Sequence, residues 1–135
     1  MKEKRKILSI STTISEIRKN LTPDLLKGRW ETSPDDGVSG HCYVATEALY
    51  WIVGKQMGFR PYVIGHAECP ELLKEGETHW FLMKDNQVVL DVTADQFKAS
   101  IPYAKGKPNG MMNHPEGGSK RARVLIKKIS HERTL

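Results

Sequence analysis

The run from Cys42 to Met57 constrains this chain more than any other stretch. Val44, Ala45, Ala48, Leu49, Ile52 and Val53 recur at helical spacings, and Tyr50 and Trp51 widen the stripe. The pattern predicts a mostly buried helix, stopped by Gly58. Just before it, Gly37, Ser39 and Gly40 mark a loop, so Cys42 falls on the first helical turn. Unpaired backbone N–H groups and the positive end of the helix dipole converge there, where they favour a thiolate and a neighbouring oxyanion. Cys42 is therefore a candidate nucleophile.

The remaining segments supply what such a helix packs against. Thr13-Ile14-Ser15-Glu16 has the form of a capping box, with Ile14, Ile17, Leu21, Leu25 and Leu26 at helical spacing, which predicts a first helix starting near Ile14. Residues 1–12 read as a basic leader, a strand or disordered. Thr22-Pro23-Asp24 resembles a second N-cap, so the region up to Gly28 is expected to be two short helices or one bent one. Arg29 to Gly40 carries no period and reads as a loop. Phe59 to Gly65 suits a strand, and Ala67 to Glu77 a loop or short helix. Asp85-Asn86 is a turn dipeptide between two β-rich runs, so Thr78–Lys84 and Gln87–Val92 are expected to form an antiparallel hairpin. Ala94 to Phe97 suits a helical turn, and Lys105 to Gly118 is rich in Gly and Pro and reads as irregular. Ser119 can cap a closing helix through Ile129, with Ala122, Leu125, Ile126 and Ile129 inward.

The hairpin brings two further residues into play. Across a turn at Asp85-Asn86, paired residues have indices summing to about 171, which sets His79 opposite position 92 and close to Asp91. Which face each side chain takes depends on register to a single residue. Cys42, His79 and Asp91 thus read as nucleophile, base and orienting carboxylate. Each also has an ordinary explanation. A lone cysteine is commonly inert core, His79 could be a hydrogen-bonded core histidine, and Asp91 could start an Asp-x-Thr turn. The order and placement of the three favour chemistry.

Gly40-x-Cys42-Tyr43, with the small Ala45 one turn on, resembles the nucleophile motif of transglutaminase-like proteins in the papain-like superfamily. Gly58-Phe59-Arg60-Pro61-Tyr62-Val63 is similar to the segment that follows the catalytic helix there, and His79-Trp80 with Leu90-Asp91-Val92-Thr93 resembles its histidine and aspartate strands. The resemblance runs from Gly40 to Thr93. It implies an α+β, papain-like fold with one catalytic helix packed on a small antiparallel sheet. The pattern also resembles small uncharacterised phage and bacterial proteins. The glutamine that helps form the papain-like oxyanion hole is missing, because Asp35 and Asp36 occupy that region. Trp30 or Gln96 could donate a side-chain N–H in its place, and His41 reads as a loop or substrate-side residue.

Composition bounds the alternatives. A chain of 135 residues with 39% hydrophobic content suits one core, hence a single domain over 1–135. The net charge of +5 is concentrated in Lys2 to Lys6 and Lys120 to Lys128. Such runs are usually solvated faces, but they suit an acidic protein or peptide substrate, or nucleic acid. No stretch has the length of a membrane span, no signal-peptide core is visible, and two cysteines do not suggest a disulfide framework, so a cytoplasmic protein is expected. His66-x-x-Cys69 has zinc-like spacing, yet the adjacent His41 and Cys42 would seldom face one ion and no second pair supports it. No metal or cofactor is expected. The function expected is cysteine-dependent acyl transfer, most simply hydrolysis of an amide, peptide or isopeptide bond. The alternative is an idle scaffold that binds an acidic protein or nucleic acid through its basic closing helix.

Overall fold

Strand β2 (Thr78–Lys84) divides two cores. Its side chains alternate, so His79, Phe81 and Met83 leave one face while Trp80 and Leu82 leave the other. The computed structural model describes residues 2–22, 41–85, 87–94, 97, 99–109 and 118–134. Among them the chain is α+β, with three α-helices and a four-stranded antiparallel sheet in the order β3-β2-β1-β4, where β1 is Arg60–Gly65, β3 Val88–Leu90 and β4 Lys107–Pro108.

On the Leu82 side lie the helices α1 (Lys2–Lys19), α2 (Cys42–Leu49) and α3 (Lys120–Thr134). Ile17, Val44, Ala45, Ala48, Leu49, Leu82, Leu125 and Ile129 are buried there in one cluster. The predicted helix from Cys42 is present, but its second half is not regular. After Leu49 the chain widens into a π-helical turn over Tyr50–Gly54 and tightens into a 3-10 turn over Lys55–Met57. Gly58 then ends it at φ +85°, a conformation that an L side chain rarely adopts.

Four expectations change. Helix α1 does not start at the Thr13 box; the leader is itself helical, and Thr13 is buried in mid-helix. The apolar spacing continues upstream through Ile10, which packs on the same core as Ile14 and Ile17, and that continuity overrides the local cap. Strand β3 is shorter than expected. The hairpin register is also displaced by one residue, because Lys84 pairs with Val88 across a connection that includes Gln87 as well as the turn dipeptide. Asp85 takes φ +53°, and Gln87 N–H bonds the Lys84 carbonyl at 3.1 Å. Finally, β4 is a short strand within a segment read as irregular. The closing helix forms as expected and runs on to Thr134; Ser119 Oγ caps it, accepting from Ala122 N–H at 3.3 Å. The expected second helix from Thr22-Pro23 and the loop 29–40 fall almost wholly on residues outside those described. No helix among the described residues is long and apolar enough to cross a membrane.

Candidate active site

The shift in hairpin register decides which way Asp91 faces. Leu82 pairs with Leu90 and Met83 with Val89, so continuing the ladder sets Asp91 opposite Phe81, on the face that also carries His79. A register one residue different, within the latitude the sequence left open, would have put Asp91 opposite Trp80 and on the other side. In the structure His79 Nε2–H donates to Asp91 Oδ2 at 2.7 Å, and the two side chains are 1% and 4% exposed.

Two contacts hold that carboxylate in place besides His79. Thr93 N–H donates to Oδ1 at 3.3 Å, the Asp-x-Thr turn that the sequence allowed. Tyr103 Oη donates to Oδ2 at 2.7 Å. The turn is anchored from the helical side as well, since Arg18 of α1 donates to the Val92 carbonyl at 2.6 Å. Nothing in the local sequence marks Tyr103 or Arg18, because both act across long stretches of chain.

Cys42 opens α2, with His41 at the N-cap. Its Sγ lies 3.6 Å from the Thr78 carbonyl, to which the thiol donates, and it is near enough to His79 to raise the imidazole pKa. Nε2 is committed to Asp91, so the ring nitrogen left for the sulfur is Nδ1. His79 stands between the thiol and the carboxylate. Burial by itself disfavours the imidazolium, but the hydrogen bonds with Asp91 and Cys42 and their charges outweigh it and raise the His79 pKa from 6.5 to about 9. Phe97 packs edge-on to the imidazole at 4.9 Å between ring centroids.

The neighbours of these residues are structural. Tyr43 meets Trp80 edge-on at 4.8 Å between centroids. Burial, then the charge of Glu47, pushes the Tyr43 phenol up to about 12, so it stays neutral. Glu47 itself is fully buried on α2; it accepts from Ser119 N–H at 2.8 Å and from Ser119 Oγ at 2.6 Å, and so ties α3 to the helix that carries Cys42. A glutamate inside an apolar stripe was the sequence signal for this tie.

His41, read as a loop or substrate-side residue, is the loop residue at the N-cap of α2. It is 2% exposed, and its Nε2 is hydrogen-bonded to the Thr22 carbonyl at 2.9 Å, linking α2 to the tail of α1. Trp30 and Gln96 lie outside the described residues. Among the described residues no cluster of His, Cys, Asp and Glu could hold a metal ion. His66 Nδ1–H instead donates to the Leu73 carbonyl at 2.7 Å, while Cys69 is buried beneath the sheet with Phe81 and Leu73. The described residues thus define an α+β protein in which an imidazole lies between a thiol and the carboxylate to which it is hydrogen-bonded. Comparison with protein-family models, curated proteins and solved structures finds no match to this chain.

Proposed function

We propose that this chain is a cysteine-dependent acyl-transfer enzyme with a papain-like, transglutaminase-like fold, and that it hydrolyses an amide, peptide or isopeptide bond. What carries this reading is the position of His79, beside the Cys42 sulfur on one side and hydrogen-bonded to Asp91 at 2.7 Å on the other. In the proposed reaction the proton shared by Cys42 and His79 rests on Nδ1, as the raised His79 pKa favours, and the thiolate attacks the carbonyl carbon. The C=O electron pair moves onto the oxygen, beside the first-turn N–H groups of α2. As the tetrahedral species collapses, the C–N bond breaks and the amine leaves with the proton from His79. Water then attacks the thioester, giving a proton to His79, and the acid and the thiol are released. An amine in place of water would give transamidation; water needs no second binding site. Asp91 keeps Nδ1 turned to the sulfur and stabilises the imidazolium. Two free thiols suit the reducing interior of a cell, which favours a cytoplasmic enzyme.

The competing scaffold reading draws on the exposed Lys120, Arg123 and Lys127 of α3, which could meet an acidic protein or nucleic acid. Alkylation separates the two. Iodoacetamide at neutral pH should modify Cys42 well ahead of Cys69, and His79→Ala should slow the Cys42 reaction by about tenfold or more. A Cys42 rate indifferent to His79 would defeat the enzyme reading. If the rate does depend on His79, an alkaline limb near the His79 pKa of about 9 is expected in amide hydrolysis, where the imidazolium must protonate the leaving amine.

A further inference from the structure

The carboxylate of Asp91 carries a donor that the proposed reaction does not use. Tyr103 Oη meets the same oxygen as His79 Nε2, at the same 2.7 Å. The phenol is delivered by a 3-10 turn over Tyr103–Lys105, whose aromatic ring packs edge-on against Phe81 at 4.9 Å between centroids. Gly106, just behind it, lets the turn lie this close: a Cβ there would sit 2.7 Å from Phe81 Cζ and 3.1 Å from the Tyr103 carbonyl oxygen. Burial, then the bond to Asp91 and its charge, holds the Tyr103 phenol above its ordinary range, so it remains a donor throughout the range in which His79 titrates.

We propose that Tyr103 is a positioning residue of this site, whose hydroxyl shares Asp91 Oδ2 with His79, fixes the carboxylate and limits how strongly it holds the imidazolium. The catalytic meaning rests on the acyl-transfer reading; the coupling itself is a property of three side chains. An oxygen that satisfies two donors offers each less than it would offer one. An imidazolium gripped by an unshared carboxylate would keep its proton to higher pH and give it up less readily to a leaving amine. Tyr103 thus trades some stability of the ion pair for a more usable acid.

The test is a titration of His79 in the full chain labelled with ¹³C-histidine, followed by NMR from about pH 6 to about pH 11. Tyr103→Phe keeps the ring against Phe81 and removes only the hydroxyl, so the His79 midpoint should rise by about half a pH unit while the melting temperature changes little. A midpoint that stays or falls overturns the proposal. Should that variant fail to fold, the wild-type sequence grown with 3-fluorotyrosine carries a more acidic phenol and hence a stronger donor; the midpoint should then fall, and a midpoint that stays or rises overturns the proposal. Iodoacetamide rates measured alongside keep the two ideas apart. An unmoved titration with His79-dependent Cys42 alkylation removes Tyr103 alone, whereas a moved titration with His79-independent alkylation leaves the coupling and removes the enzyme.

Discussion

The two faces of β2 are built by different means. On the Leu82 side three helices bury aliphatic side chains that recur at helical spacing. On the Phe81 side the packing partners are Ile64, Cys69 and Leu73, joined by Phe97 and Tyr103 from turns. That face carries His79 and Asp91. Its polar geometry is set by a hairpin register and by side chains brought in from distant turns, not by any repeating pattern. Stability should therefore reside mainly in the helical layer, and titration behaviour in the other.

The largest effect should come from the helical layer. Leu125→Ala removes a fully buried side chain between α3 and α2 and is expected to cost about 2–5 kcal/mol in denaturant unfolding. The His79 titration of the surviving folded protein should be unchanged; a matching change in that titration would mean that the two faces are not separable.

The next effect belongs to the site face and depends on pH. The folded-state pKa of His79, about 9, lies above the ordinary 6.5, so the stabilising contribution is complete below about 6.5 and is lost as pH rises through about 9. Its size is on the order of 3 kcal/mol. Unfolding free energies measured across this window should fall with rising pH, and Asp91→Asn should flatten the slope. An equal slope in the variant would detach the titration from the ion pair.

Smaller losses are expected at the two ties. Glu47→Ala strands the Ser119 N–H and hydroxyl inside the helical layer, and about 1–3 kcal/mol should be lost, with α3 amides exchanging first with solvent. Arg18→Met breaks the contact between α1 and the Val92 carbonyl, the link from the helical layer to the Asp91 turn. About 1.5 kcal/mol is expected there. Unlike Leu125→Ala, it should also shift the His79 titration, because the turn that aims Asp91 is loosened. A silent titration would show that Thr93 and Tyr103 suffice to hold the carboxylate.

Local periodicity alone determined the helix from Cys42, the closing helix after Ser119, the two central strands and the inward set Ala122, Leu125 and Ile129, because each is a statement about neighbours three, four or two residues apart. The helix-start position of Cys42, the hairpin pairing and the order of the three residues brought Cys42, His79 and Asp91 forward as a set. The local pattern misjudged the start of α1, where the apolar stripe through Ile10 outweighed a four-residue cap signal. What only the tertiary structure decided is the line that joins the three. One added residue in the hairpin connection turns Asp91 to the face of His79, since side chains alternate and a slip of one residue reverses them all. Tyr103 and Arg18 reach the Asp91 turn from elements 12 and 74 residues away in sequence, separations over which no local pattern carries information.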